Sequence, residues 1–289
     1  YKKIKQIANT IIDELKLQND FEEKKILNLS DDDFSGIVEF ESTAKIEGYE
    51  TIGYRKGFDK YLLTNTQRIP ITEDYTNIYT YLAEIKDLEP NEVDYLLPVV
   101  SASDLSVGED FIENSNIALR IENDEIFVNG LKISLVDFVD LGDSYNYGPK
   151  ADDNGTILKI LRTKVVLNTP IRAALKIDFE GIWDVISLVV TLDKHSTFLK
   201  FCFDWINTQK NHILTVGFGL NNPIREVFSE DMNLLIKRNF NPEYNIRENL
   251  PKEKGLEVAN NTAPMQRGLL IDEDGNNLGL VTKGLTQYE

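Results

Sequence analysis

Between residues 156 and 218 the chain carries six strand-like segments, 156–161, 164–167, 173–179, 185–192, 197–205 and 212–218, separated by only a few residues each. They are rich in valine, isoleucine, leucine, threonine and phenylalanine, the β-branched and aromatic types that fit a pleated, half-buried surface. A short connection can return a strand only to an antiparallel neighbour, because a parallel neighbour needs a crossover of about a dozen residues or more. No long helix separates the segments, which argues against a parallel βαβ sheet. The expected fold is mainly β, with two large antiparallel sheets packed face to face.

Upstream the pattern is similar but the segments are shorter. Residues 37–41 alternate, 49–54 follow a turn at Gly48, 79–85 alternate again, and Pro90-Asn91-Glu92 breaks the chain before 93–98. This predicts a small β domain over 21–105, bounded by the serine- and acid-rich stretch 101–109, and a larger β domain over 106–289. Ile4, Ile7, Ala8, Ile11, Ile12 and Leu15 recur at spacings of three and four, which places them on one stripe of a helix over 1–20. Such a stripe needs cover, so the helix reads as the last member of a helical bundle. Residues 231–249, full of asparagine and charge, read as a long surface excursion before the closing strands.

Thirty-one basic against forty-eight acidic residues give a formal charge of −17, which disfavours phosphate backbones and anionic lipid as partners. Cys202 is the only cysteine, so no intrachain disulfide can form, and a buried thiol is expected. No apolar stretch is long enough for a signal or a membrane span. The chain opens at Tyr1 and reads as a piece of a longer cytoplasmic protein. Sequons at Asn28, Asn154 and Asn260 carry no weight in so asparagine-rich a chain.

The search for chemistry finds little. His195, in the turn Lys194-His195-Ser196, and His212, at the start of a strand, lack partners at metal-ligand spacing, so both are expected to be structural or solvent-facing and no metal site is expected. Nucleophile elbows, phosphate-binding glycine loops and paired cysteines are absent. The acidic runs Asp31-Asp32-Asp33, Asp152-Asp153 and Asp272-Glu273-Asp274 read as solvated turns whose carboxylates bond nearby amides. What stands out is Gly142-Asp143-Ser144-Tyr145-Asn146-Tyr147-Gly148-Pro149, directly after the apolar run 135–139. Two tyrosine rings at the end of a strand can stack on a ligand, or can simply cover the core beside a turn.

The order of features around that segment is informative. Residues 26–30 lead into 35–40; residues 112–121 run into 124–128 and then the tyrosines; Ala263-Pro264-Met265-Gln266-Arg267 and residues 278–289 follow. This succession resembles the C-terminal half of bacterial alpha-mannosidases of glycoside hydrolase family 38. The resemblance implies a galactose mutarotase-like β-supersandwich after a small β domain. It also implies a parent enzyme whose nucleophile, acid and zinc ligands lie in an N-terminal (β/α) barrel that this chain lacks.

Several further expectations follow from the resemblance. The chain holds no cofactor of its own and is inactive alone; its partners are the barrel of the same polypeptide and an alpha-mannoside substrate. Tyr145 corresponds to a tyrosine lining the pocket of the terminal mannose, with Tyr147 in the second aromatic place and Pro149 the proline. Asp143 would orient the loop or a sugar hydroxyl. Arg267 would fix a carboxylate of the barrel or a substrate oxygen, although Gly268 departs from the apolar or aromatic residue expected there.

Two other classes compete. A stand-alone carbohydrate-binding module would stack sugars on Tyr145, Tyr147, Trp183 and Trp205, although each tryptophan sits in an apolar stretch that favours the core. A mutarotase-like epimerase needs a histidine and a carboxylate facing one sugar pocket. The chain halts at Tyr288-Glu289, where relatives continue, and strand edges left open there could pair between molecules into a homodimer.

Overall fold

The structure, a computed structural model, describes residues 25–57, 61–63, 68–70, 76–96, 102–142, 148–182, 184–220, 222–232, 234–241, 263–273, 276–283 and 287–288. The expected helix over 1–20 lies outside them, as do Asp143, Tyr145, Tyr147 and Trp183. Among the described residues the fold is mainly β, in several sheets, and no helix is long and apolar enough to cross a membrane. The chain divides into two compact units, one of residues 1–117, 164–176 and 189–201, the other of 118–163, 177–188 and 202–289.

The first unit is built on an antiparallel three-stranded sheet, Phe34–Ser42, Thr76–Leu88 and Glu50–Gly57, with Thr76–Leu88 in the centre. Leu82 and Ala83 point to opposite faces of that central strand, yet both are fully buried, so it is covered on both sides. One face gathers Ala83, Ile85, Leu88 and Leu96 against Ile26, Phe34, Val38, Phe40 and Tyr49. The register Phe40↔Tyr81 stacks their rings at 5.5 Å, and Tyr49 meets Phe40 edge-on at 5.4 Å. Each such pair contributes about 1 kcal/mol beyond the burial itself. The buried Tyr81 hydroxyl keeps a partner by accepting the Ile46 N–H at 2.8 Å.

Asn28, at the end of strand Lys25–Leu27, is buried. Its amide donates to the carbonyls of Asp32 at 2.8 Å and Leu88 at 2.9 Å, and its Oδ1 accepts from Ser30. The sequon nitrogen at Asn28 is therefore occupied in holding the turn.

In the second unit the strand Leu131–Val139 is central. It pairs with His212–Gly219 over eight residue pairs on one side, and on the other with Glu125–Val128 at its start and Thr156–Ile157 further along. Two tight hairpins, Asn123-Asp124 and Asn129-Gly130, lead into it; all four residues have φ between 47° and 85°. That left-handed conformation is the one two-residue hairpins demand and asparagine, aspartate and glycine tolerate. A second sheet in this unit runs Leu234–Arg238, Ile224–Asp231, Gly268–Glu273, Asn276–Val281 around Val227, Met265 and Leu269.

Four further strands, Lys159–Asn168, Arg172–Gly181, Asp184–Asp193 and Lys200–Asp204, pair in that order, and the division between the units falls within each of them. Ile186, Leu188, Val190 and Leu192 alternate along one face and are fully buried, contributing roughly 1.5–3 kcal/mol apiece.

Several expectations are corrected. Residues 164–167 are not a separate strand but continue Lys159–Asn168, which runs unbroken beside Arg172–Gly181. Residues 231–249 are not wholly an excursion, since Leu234–Arg238 folds back on Ile224–Asp231. Glu273 is not solvated; it is buried and accepts the Asn222 N–H. Cys202 is exposed, because the period of two that turns Phe201 and Phe203 inward turns the thiol out. Trp205 is 40% exposed, since the strand ends at Asp204.

Candidate functional site

The residues on either side of the tyrosine segment, 140–142 and 148–149, lie just past the end of the Leu131–Val139 strand and are tied together there. Asp140 and Pro149 form a β-bridge, and the Leu141 N–H donates to the Gly148 carbonyl at 2.7 Å. One oxygen of Asp140, Oδ1, accepts from the Gly142 N–H at 2.8 Å and the Gly148 N–H at 2.9 Å, one on each side of the segment. The Asp140 N–H itself donates to the carbonyl of Asn211 at 2.8 Å. Gly148 is required by closeness. A Cβ there would lie 2.5 Å from the Gly142 nitrogen and 2.7 Å from its Cα. Residues 140–142 and 148–149 thus form a closed neck, and residues 143–147, with Asp143, Tyr145 and Tyr147, lie outside the described residues.

A second carboxylate braces this neck from the following turn. Asp153 accepts the Val139 N–H through Oδ2 at 2.5 Å and the Gly155 N–H through Oδ1 at 2.9 Å. The acidic pair Asp152-Asp153 therefore divides its roles: Asp152 is exposed, and Asp153 fastens the end of the strand. Gly155 has φ +75°, and a Cβ on it would strike the Phe138 ring at 2.4 Å.

Beside the neck sits the first of two histidine–carboxylate pairs. His212, paired across the sheet with Val139, places Nδ1 3.1 Å from Oδ1 and 3.2 Å from Oδ2 of the buried Asp137. The second pair belongs to the first unit, where His195 Nδ1 lies 3.1 Å from Asp104 Oδ2. Burial pushes the Asp104 carboxyl up, but hydrogen bonds from Ser115 and from the His195 backbone, with the charge of His195, outweigh it and hold the group below its ordinary value. His195 adopts φ 57°, and its carbonyl accepts from the Asn116 side chain. Its side chain is 57% exposed, so this pair stands on the surface rather than in an enclosed pocket. Sequence spacing hid both pairs, because the acid lies 75 or 91 residues away in the chain.

Arg267 lies on the turn that opens strand Gly268–Glu273. Its Nη2 donates to Glu230 Oε1 at 3.1 Å, and that hydrogen bond and charge raise its pKa further. The Arg267 carbonyl accepts from Thr282 N–H at 2.6 Å. The guanidinium is thus engaged within its own sheet. Among the described residues no group of three or more histidine, cysteine, aspartate or glutamate side chains could hold a metal ion.

Comparison with solved structures finds a match to an alpha-mannosidase from Enterococcus faecalis V583, with a TM-score of 0.66 and 16% identity, over 92% of this chain. The chain spans 38% of that protein's length. No family model matches the sequence, and no curated protein does. At that identity the likeness is one of fold: the chain has the fold of part of an alpha-mannosidase.

Proposed function

We propose that this chain is the C-terminal, non-catalytic region of a cytoplasmic, zinc-dependent, retaining alpha-mannosidase, folded as a galactose mutarotase-like supersandwich that supports the catalytic barrel. The observation that carries the reading is the likeness over 92% of this chain to little more than a third of an alpha-mannosidase, which leaves ample length for a barrel elsewhere. Zinc does not fit the residues described here, so no step involving it is assigned to this chain. In the parent the barrel would hold the ion, and the two carboxyls of a retaining mechanism, about 5 to 5.5 Å apart.

The contribution of this chain to the sugar site is the segment 143–147. A tyrosine offers a ring face to the C–H surface of mannose and a hydroxyl to a ring substituent or a catalytic carboxylate. Tyr145 takes that role, Tyr147 flanks it and Asp143 orients a sugar hydroxyl. Arg267, already paired with Glu230, fixes a carboxylate at the junction with the barrel.

The test compares this chain with the full-length parent on an aryl alpha-mannoside. The parent turns over and Tyr145→Ala in it loses at least tenfold in kcat/KM, about 1.4 kcal/mol of transition-state binding, while the purified chain alone is inactive. Turnover by the chain alone, or a parent indifferent to Tyr145→Ala, overturns the reading.

A second reading is favoured by one observation, the exposure of Trp205 and its neighbour Ile206. A stand-alone carbohydrate-binding module would stack a sugar there, and mannose would then quench tryptophan fluorescence saturably in the wild type and not in Trp205→Ala.

A further inference from the structure

We infer that Asn154 is a site of spontaneous deamidation, and that its conversion to isoaspartate loosens the end of the central strand of the second unit. The sequence contains Asn-Gly twice, at Asn129-Gly130 and Asn154-Gly155. In either, the glycine nitrogen can attack the asparagine Cγ with no side chain of its own in the way. The N–Cγ bond forms as that nitrogen gives its proton to solvent hydroxide. The Cγ–Nδ2 bond breaks, and Nδ2 leaves as ammonia after taking a proton from water, which regenerates the hydroxide. Water then opens the succinimide ring at one carbonyl or the other, giving aspartate or isoaspartate. Nothing is oxidised or reduced, and water is the sole co-reactant.

The structure separates the two sites. Asn129 sits in a two-residue hairpin turn with φ 47°, and Gly130 follows with φ 85°. The Asn129 Oδ1 accepts the Ala118 N–H at 2.9 Å, and the Asn129 N–H donates to the Ala118 carbonyl at 3.0 Å. Side chain and main chain are both held to the neighbouring strand, so ring closure there requires the hairpin to open. Asn154 is exposed, lies in the loop before strand Thr156–Ile157, and its side chain has no hydrogen-bond partner among the described residues. An exposed side chain changes rotamer in picoseconds to nanoseconds, so Cγ can meet the Gly155 nitrogen without any strand pairing being broken. The Gly155 N–H donates to Asp153 Oδ1 at 2.9 Å, a bond between residues two apart that the loop releases by itself.

The location gives the reaction a consequence. Isoaspartate routes the main chain through the former side chain and lengthens it by one carbon between Asp153 and Gly155. Asp153 accepts the Val139 N–H through Oδ2 at 2.5 Å, and Thr156 pairs with Asp137. The inserted carbon therefore falls between two fastenings of the same strand, Leu131–Val139, and changes the spacing that lets both be made.

The test is to age this chain at mildly alkaline pH, once folded and once in urea, and to follow both asparagines by peptide mass mapping, with isoaspartate detected by enzymatic methylation. In urea the two convert at similar rates. In the folded chain Asn154 converts faster than Asn129 by on the order of tenfold or more, because closure at Asn129 must first break two hydrogen bonds. Folded Asn129 converting as fast as Asn154, or folded Asn154 staying intact while it converts in urea, overturns the inference. In the isolated isoaspartyl form the Val139 amide exchanges hydrogen about tenfold faster than in the unmodified chain, while the Leu82 amide in the first unit keeps its rate. An unchanged Val139 amide, or exchange raised at both, overturns it too. Asn154→Gln, whose longer side chain must close a less favourable six-membered ring, keeps the original Val139 exchange throughout ageing. Loss of Val139 protection in the aged glutamine variant places the loosening elsewhere and overturns the inference.

Discussion

Arg172 grips Asp193 with two parallel hydrogen bonds, Nε to Oδ1 at 2.5 Å and Nη2 to Oδ2 at 3.1 Å, while its Nη1 reaches Glu39 at 2.8 Å. Both side chains of the Arg172–Asp193 pair are about nine-tenths buried. Removing Arg172 leaves the buried Asp193 carboxylate to the half-exposed Lys200, so Arg172→Met is expected to lower unfolding free energy by about 3 kcal/mol. Arg172→Lys should recover only part of it, because an ammonium cannot reproduce the fork. Urea unfolding of the three proteins at neutral pH measures this, and a methionine variant as stable as wild type contradicts it.

The same pair predicts a pH dependence. Burial pushes the Asp193 carboxyl up, but the hydrogen bonds and charges of Arg172 and Lys200 outweigh burial and hold it below the ordinary carboxylate value. A depressed folded pKa stabilises the protein fully above the unfolded value of about 3.9, and that contribution disappears as pH falls through the folded value. The stability gap between wild type and Asp193→Asn should therefore be constant from pH 7 to about 5 and close below about 4. A gap that persists unchanged to pH 2 would refute the assignment.

Glycine substitutions separate strain from empty space. Gly155→Ala places a Cβ 2.4 Å from the Phe138 ring at a φ of +75°, and should cost about 2–4 kcal/mol from conformation and overpacking together. Gly279→Ala meets nothing within 4 Å and should stay within about 0.5 kcal/mol of wild type. Thermal unfolding of the two variants side by side decides it.

Asn28→Ala withdraws two donors from the carbonyls of Asp32 and Leu88. With a buried acceptor left unpaired, a loss of about 1–3 kcal/mol is expected. Hydrogen exchange should rise at the Asn91 amide, which donates to the Asn28 carbonyl, before it rises in the central strand. Uniform exchange across the first unit would instead show that the turn opens only with the whole sheet.

How far the sequence could be read follows from the range of each interaction. The alternation in residues 37–41, 79–85 and 185–192 is local, and each segment lies within an observed strand. The turns at Lys194-His195 and the start of a strand at His212 were likewise legible. Leu234–Arg238 was not, because it is held by pairing with Ile224–Asp231 across a hairpin at Met232, whose φ of 51° no composition announces. Nothing in the sequence singles out Asp140; only the folded chain shows that its Oδ1 accepts from both Gly142 and Gly148. The tyrosines themselves were visible as a motif from the start, whereas the joining of residues 140–142 to 148–149 is written in backbone contacts.

Each of the four strands from Lys159 to Asp204 changes allegiance partway along its length. Neither half of the molecule is consequently a continuous piece of polypeptide, and no pair of cut sites in the gene can excise one of them intact. A truncated version ending near residue 117 would lack the later stretches that complete its own interior, and synthesis must proceed past residue 201 before the early sheet can acquire them. Closing contacts so distant in sequence slows folding, so the first unit can complete itself only after residue 201 has been made.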